Sequence, residues 1–206
     1  MNSPRHTLPF RCFAQASNLC VSIRFRNACL FATALAWITL FPASLMAQDS
    51  GGSQSFTISS PSFSNGAEVP TQFTCTGGDI SPQLVWNAPP SGTKSLALLV
   101  DDPDAPIGNW THWVVWNVPD TSRGLAEGVV KKPQLPDGSQ QGTNDFHKVG
   151  YNGPCPPAGK PHRYYFKLFA LDTKLDLKPA SGKRELEAAI KGHVLAQAEW
   201  IGKFHR

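Results

Sequence analysis

Residues 99–119, LVDDPDAPIGNWTHWVVWNVP, place acids, a histidine and tryptophans within one short stretch. Pro103 and Pro106 fix their own φ angles and restrict the residue before each of them, so Asp102 is held extended in a stiff turn. Alternation along the next strand predicts one face with Trp110, His112, Val114 and Trp116, and the other with Thr111, Trp113, Val115 and Asn117. This set suits a metal site, a general acid and base, a ligand pocket or a structural turn.

A second group of chemically capable residues lies in GPCPPAGKPHRYYF, residues 153–166. Alternation places His162 and Tyr164 on one face of a strand, with Arg163 on the other. Gly153 permits the close approach of another backbone segment. Two imidazoles, a phenol and an acid beside tryptophan can hydrogen-bond an anion and pack against an apolar tail, which indicates a small anion pocket.

Metal and covalent chemistry fit the sequence less well. Zinc ligands usually recur at short spacings such as His-x3-His or Cys-x2-Cys, and neither occurs, so we expect no metal and no cofactor. The nucleophile motif G-x-S-x-G is absent, and Cys155 lies between prolines. An acid–base pair of Asp102 and His112 stays conceivable but lacks a nucleophile, so we expect no catalytic residue.

The N-terminal part of the 206-residue chain reads as a targeting segment. Four arginines are its only charged residues before residue 48, and an apolar run follows at 28–41, shorter than the ~20 residues that a membrane-spanning helix needs. We predict a signal peptide at 1–47, a flexible mature N-terminus at 48–55 and a domain at 56–206. The protein is then periplasmic or secreted; an uncleaved membrane anchor is the alternative.

The charge and the cysteine content of the chain after the predicted signal peptide (the leader, residues 1–47) limit the kinds of function that it can have. Of 19 Lys and Arg residues, four belong to the leader, and the remaining 15 balance 15 Asp and Glu, so no nucleic-acid surface is indicated. Cys75 and Cys155 are the only cysteines in the mature chain. In an oxidising compartment they can form a disulfide; two buried free thiols are the alternative.

The pattern of the mature chain is mostly β until about residue 180. Short alternating or apolar runs bounded by turn residues predict strands, and the Pro- and Gly-rich segment 135–161 is expected to build a pocket wall. Ser181 can cap a C-terminal helix over the rest of the chain, with Leu186, Ile190, Val194 and Ile201 approximating one stripe and Gly192 as a weak point.

These motifs together resemble the phosphatidylethanolamine-binding protein family, also called Raf kinase inhibitor proteins. DPDAP at 102–106, the W-x-H-W segment and GPCPPAGKPHRYYF carry the resemblance, and FTCTGGDISPQLVW at 73–86 is similar to the bacterial branch. The resemblance implies a mostly β fold, an antiparallel two-sheet sandwich with short flanking helices and a C-terminal helix. It also implies an anion pocket at one end that accepts phosphate, a carboxylate or a phosphoethanolamine-like group.

The resemblance assigns ligand-binding residues by motif position: Asp102, Trp110, His112, Gly153, Pro154, Pro156, His162 and Tyr164. Asp102 would orient a histidine or meet a ligand amine, and His112 and Tyr164 would donate to ligand oxygens. Arg163 is expected in the structural framework, with Asp101 and Asp104 facing solvent or bracing the turn.

We therefore expect a non-enzymatic exported protein that binds a small anion or a lipid head group. It would meet a membrane only through the signal peptide or such head groups, and a protein partner is possible. The alternatives are a hydrolase of small esters or phosphates that uses Asp102, His112 and His162, and an inhibitor of a protease or kinase.

Overall fold

The computed structural model describes residues 55–206. The predicted signal peptide at 1–47 and residues 48–54 of the predicted flexible N-terminus lie outside the described residues. Within the described part of the chain, no helix is long and apolar enough to cross a membrane.

Two antiparallel sheets organise residues 55–206. Their strands are β1 (Ile58–Ser59), β2 (Leu84–Trp86), β3 (Ser95–Asp102), β4 (Trp110–Val118), β5 (Gly124–Leu125), β6 (Gln140–Gln141), β7 (His162–Leu171) and β8 (Val194–Phe204). The larger sheet has the order β6-β4-β3-β7-β8 and the smaller one β1-β2-β5. A short 3-10 helix, Thr71–Phe73, and the helix α1, Lys183–Ile190, flank them. The predicted two-sheet β fold is confirmed.

Both faces of the larger sheet are covered, and β3 is buried along its full length. The face that carries Val100 packs against the smaller sheet. The face that carries Leu99 packs beneath Leu186 and Ile190 of α1. A strand that is covered on both faces needs apolar residues at consecutive positions, which explains why SLALLV does not alternate.

The C-terminal helix is present as α1, but its predicted extent is wrong. It begins after Gly182 rather than at a Ser181 cap, and it ends at Ile190. Gly192 adopts a φ of 84°, a left-handed conformation that Gly tolerates at no steric cost, and thereby separates α1 from β8. Val194, predicted to continue the buried helical stripe, is 42% exposed.

Long-range pairing explains why residues 194–204 form a strand. They pair with β7 from Val194 opposite Leu171 to Phe204 opposite His162. Ala198 and Phe204 are buried against the smaller sheet's side of the core. Helix propensities are fractions of a kcal/mol per residue, so this pairing and burial override the local helical pattern.

Candidate functional site

A cavity of about 240 Å³ lies at the end of the larger sheet, where β3 leads into the DPDAP turn. Its polar lining residues are Asp102, His112 and His162. Its other lining residues are Ala105, Pro106, Ile107, Trp110, Phe146, Cys155, Pro156 and Pro157. Two segments that lie far apart in the chain therefore meet, as the sequence predicts, and segment 135–161 supplies one wall.

Five of the eight residues predicted to bind a ligand line this cavity: Asp102, Trp110, His112, Pro156 and His162. Gly153, Pro154 and Tyr164 are buried but do not belong to its lining. Tyr164 packs edge-on against His112, with ring centroids 5.1 Å apart. Burial and the charge of Asp102 raise the pKa of Tyr164, so its phenol stays protonated.

A β-bulge in β4 brings His112 into the cavity. Trp113 pairs with Val100 and Thr111 pairs with Asp101, so His112 between them has no counterpart on β3. An extra residue of this kind locally re-aims side chains and occurs often beside functional sites.

The bulge also corrects the predicted faces of β4. Val114 and Trp116, predicted to share a face with Trp110 and His112, instead pack in the cluster beneath α1. Trp113, predicted on the opposite face from His112, packs in the core beside the smaller sheet. The prediction was wrong at these positions because one inserted residue moves every later side chain to the other face.

Asp102 and His162 form a buried hydrogen-bonded pair. His162 Nδ1 donates to Asp102 Oδ2 at 2.7 Å, and the backbone N–H of Asp104 donates to Asp102 Oδ1 at 2.8 Å. Asp102 is 3% exposed and His162 8%. With both oxygens engaged, the carboxylate is held in place and orients the imidazole, one of the two roles predicted for it.

His112 is fixed by a backbone carbonyl. Its Nδ1 lies 2.7 Å from the carbonyl oxygen of Asn152, which can only accept, so Nδ1 carries the hydrogen. The ring of Phe146 contacts the imidazole edge-on, with centroids 5.2 Å apart. Burial lowers the pKa of His112 although the Asn152 carbonyl and the Asp102 carboxylate act in the opposite direction. The ring is therefore neutral near pH 7.

Asp79 holds the loop that carries the Asn152 carbonyl, and the sequence reasoning missed it. Its Oδ1 accepts the backbone N–H of Gly153 at 2.6 Å, and its Oδ2 accepts the side-chain amide of Asn152 at 3.0 Å. Lys131 pairs with the same carboxylate at 2.7 Å. The available signal was an acid directly after a Gly-Gly pair, in a turn where its φ of 50° suits Asp.

Phe146 and Asn144 are two further missed residues, both in the predicted pocket wall. Phe146 contacts Trp110 edge-on at 5.4 Å between centroids. The side chain of Asn144 donates to the carbonyl of Gly150 and to the side-chain oxygen of Asn152, and accepts the backbone N–H of Phe146. Without periodicity, the sequence of this loop carried no signal for which residues would face inward.

The loop is also joined to residues 73–75. Cys75 and Cys155 form a disulfide with a Cα–Cα distance of 5.4 Å, which confirms the predicted bond and excludes the alternative of free thiols. The backbone N–H of Cys75 donates to the carbonyl of Pro154 at 3.1 Å. At Gly153, a Cβ would collide with the carbonyl oxygen of Phe73, so the close approach expected there needs glycine.

The other two acids of the turn have separate environments. Asp104 accepts two hydrogen bonds from the Arg163 side chain and one from its backbone N–H, and this partner lowers the pKa of Asp104 to about 2. Asp104 thus braces the turn and Arg163 belongs to the framework, both as expected. Asp101 does not face solvent, because it is fully buried on the opposite face of the sheet, but its Oδ2 accepts a hydrogen bond from the side chain of Asn109 in the turn at 2.8 Å.

Two lysines neutralise the buried Asp101. Lys183 lies 2.9 Å and Lys167 3.0 Å from its carboxylate oxygens. Burial alone would raise the pKa of Asp101, but the hydrogen bonds from Lys183 and Lys167 outweigh it and lower the pKa. This arrangement joins α1 to the larger sheet.

A wider cleft of about 660 Å³ lies beside the start of α1, lined by Thr111, Asp145, Lys183 and Arg184 among others. Most of its charged side chains already have partners: Arg184 pairs with Glu185, Lys183 pairs with Asp101, and Asp145 accepts the Thr111 backbone N–H. The smaller cavity is the better candidate site because its polar side chains are buried and converge on one space.

The residues described at the candidate site include no free nucleophile. The sulfur of Cys155 is bonded to Cys75 and cannot act as a thiolate. None of the described residues lining the cavity is a serine or threonine. Across residues 55–206, no group of three or more His, Cys, Asp or Glu side chains is placed to hold a metal ion.

Comparison with known proteins gives consistent matches. The family described as phosphatidylethanolamine-binding protein matches residues 59–205. A UPF0098 protein of Methanothermobacter thermautotrophicus is 51% identical over 144 residues, covering 70% of this chain and 95% of that protein. A Mycobacterium tuberculosis protein named as a candidate lipoprotein, LppC, is 40% identical over 149 residues, covering 72% of this chain and 71% of that protein.

Two solved structures are similar in both sequence and fold. Escherichia coli YbcL, described as a new member of the mammalian PEBP family, is 37% identical with a TM-score of 0.69, covering 73% of this chain and 98% of that one. The PEBP homologue CT736 of Chlamydia trachomatis is 38% identical with a TM-score of 0.68, covering 75% of this chain and 99% of that one.

Proposed function

The chain belongs to the phosphatidylethanolamine-binding protein family, and from this premise we propose that it is an exported, non-enzymatic protein that binds a small anion. The ligand is a phosphate, a carboxylate or a phosphoethanolamine-like group in the cavity of Asp102, His112 and His162. One observation carries the proposal: two oriented and buried imidazoles converge on a cavity of about 240 Å³. Apolar walls with a few convergent polar groups are typical of small-ligand sites.

Binding is favoured over hydrolysis by what surrounds the imidazoles. The orientation of His112 is fixed by a carbonyl and that of His162 by Asp102, which suits hydrogen bonding to a ligand. A covalent hydrolase also needs a nucleophile within hydrogen-bond reach of a base. Among the described residues that line the cavity, Cys155 is the one that carries sulfur, and this sulfur is bonded to Cys75.

Export is supported by three independent features. The first 47 residues have the composition of a signal peptide. The bond between Cys75 and Cys155 is of a kind that persists in oxidising compartments. A relative that is 40% identical is named as a candidate lipoprotein.

Thermal unfolding in the presence of inorganic phosphate or phosphoethanolamine tests the binding function. A ligand at a hundred times its Kd stabilises the folded state by about 2.7 kcal/mol, which raises Tm by roughly 5–10 °C for a domain of this size. His112→Ala should abolish the shift. His193→Ala is the matched control, because His193 is half exposed and pairs with Asp172 outside the cavity.

Absence of any shift with phosphate, phosphoethanolamine or acetate in the wild-type protein would contradict the proposal. Turnover of phosphate or acyl esters that is lost in His162→Ala would instead support the hydrolase alternative.

A further inference from the structure

The candidate anion site has no permanent positive charge. Among the described residues that line the cavity, none is a lysine or an arginine. Its ionisable lining groups are the carboxylate of Asp102 and the imidazoles of His112 and His162. An oxyanion that enters must therefore find its charged hydrogen-bond donors on the imidazoles or bring a hydrogen of its own.

In each imidazole, the hydrogen on Nδ1 already takes part in a hydrogen bond within the protein. His112 donates it to the carbonyl of Asn152, and His162 donates it to Asp102, both at 2.7 Å. Nε2 is then the ring nitrogen left for a ligand, and on a neutral ring it holds a lone pair and accepts. The neutral ring of His112 thus offers an acceptor where a fully ionised oxyanion needs a donor.

The surroundings of His112 keep its ring neutral. The groups on its side of the sheet are Asp102 from β3, His162 and Tyr164 from β7, the carbonyls of Asn152 and Gly153, and the ring of Phe146, while the carboxylate of Asp101 acts on its pKa from the opposite face. His112 is 2% exposed, and this burial lowers its pKa more than the carbonyls and carboxylates raise it. Protonating the ring to receive an anion therefore costs free energy near neutral pH.

Resting on the proposed anion-binding function, we infer that the cavity selects a phosphomonoester in its monoanionic form, whose P–OH donates to Nε2 of His112. A phosphomonoester dianion and a phosphodiester have no hydrogen on phosphate, so each meets the Nε2 lone pair and the Asp102 carboxylate with acceptors only. The cavity discriminates against both.

Two ligands that share an ethanolamine group test this selection by isothermal titration calorimetry between pH 5 and 7.5. Phosphoethanolamine is a monoester with a second phosphate pKa near 6, whereas glycerophosphoethanolamine is a diester. Because the monoanionic fraction falls roughly 30-fold between pH 5 and 7.5, the affinity for phosphoethanolamine should fall by about the same factor. At pH 6 the diester should bind at least tenfold more weakly.

Proton uptake on binding, measured from the heats in buffers of different ionisation enthalpy, adds a readout that needs no variant. At pH 7.5, binding of phosphoethanolamine should take up close to one proton, and at pH 5 close to none. Nitrogen NMR of the ligand-free protein should show His112 with its hydrogen on Nδ1.

Matched variants assign the selection to one ring. In His112→Gln the side-chain amide can turn its NH2 group toward the ligand, so most of the pH dependence should disappear. His162→Gln should retain it. The opposite pattern would move the selection to His162 and overturn the inference.

Tighter binding of phosphoethanolamine at pH 7.5 than at pH 5, or equal binding of the diester at pH 6, would also overturn the inference while leaving the anion-binding function intact. Failure of both ligands and of inorganic phosphate to bind at any pH would overturn the proposed function and the inference with it.

Discussion

Asp101 and Asp102 are neighbours at the end of β3, yet they occupy opposite faces of the larger sheet. Asp101 is fully buried between Lys167 and Lys183, where its charge is neutralised and the lysines anchor α1. Asp102, also buried, contacts a histidine and lines a cavity. Successive side chains of a strand point to opposite faces of the sheet. Two aspartates that are neighbours in the chain therefore lie in two different environments.

The difference between the two faces separates a structural carboxylate from a functional one. The carboxylate of Asp101 is fully buried between two cations, so a ligand cannot reach it. The carboxylate of Asp102 bonds Nδ1 of His162 beside a cavity and leaves Nε2 of that ring without this bond. The acid motif alone does not distinguish them, because both are aspartates in the same DDPDAP string. Substitutions at the three acids should therefore separate stability from binding.

Asp101→Ala should give the largest loss of stability. It leaves two lysines facing a buried space, and removing one partner of a buried ion pair costs about 3–5 kcal/mol; we expect about 3 kcal/mol because both lysines are partly exposed. Urea unfolding measures this loss. The Tm shift caused by phosphate should remain, since the cavity lies on the other face.

Glu187→Ala is the control for that substitution. Glu187 is an exposed acid 3.8 Å from Lys183, and its removal should change stability by less than about 0.5 kcal/mol. Equal losses in the two variants would contradict the structural role assigned to Asp101.

Asp102→Ala should cost less stability but abolish binding. It removes the acceptor for His162 Nδ1 and for the Asp104 backbone N–H, a loss of about 1–3 kcal/mol. The His162 ring and the DPDAP turn then lose their fixed orientation, so phosphate should no longer raise Tm. Retention of the full phosphate shift would place the ligand away from Asp102.

Asp104→Asn should have the smallest effect, and its difference from the wild type should disappear in acid. The pKa of Asp104 is lowered to about 2 by Arg163, below the unfolded value near 4. Its contribution to stability is therefore present above pH 4 and is lost as the pH falls toward 2. Thermal unfolding at pH 2 to 5 should show a smaller loss of Tm in Asp104→Asn than in the wild type, with equal slopes above pH 5.

Much of the candidate site could be predicted because its residues are held by local rules. The prolines after Asp102 predict a stiff turn, and the position of His162 at the start of a strand is predicted by the Pro-rich loop before it. Asp79 and Phe146 could not be selected from the sequence, because each acts through contacts with residues far along the chain. The orientation of His112 depends on the bulge in β4, which no sequence pattern marks.

In the C-terminal region, too, the local sequence pattern predicts only part of the structure. The stripe of Leu186 and Ile190 correctly predicts α1, and the weak point at Gly192 is where the helix and strand are separated. The strand that follows could not be predicted from local pattern, since its stability comes from pairing with β7.

By itself, the sequence determined the mostly β class, the export expectation and the two motifs whose histidines and acid form the cavity. Those features follow from periodicity, composition and backbone restriction, which act over a few residues. Only the tertiary structure decided that Asp101 lies between two lysines and Asp102 lines the cavity, that Cys75 is bonded to Cys155, and that Nδ1 of His112 donates to the carbonyl of Asn152. Each of these depends on which distant groups lie within bonding distance, and local sequence does not encode that proximity.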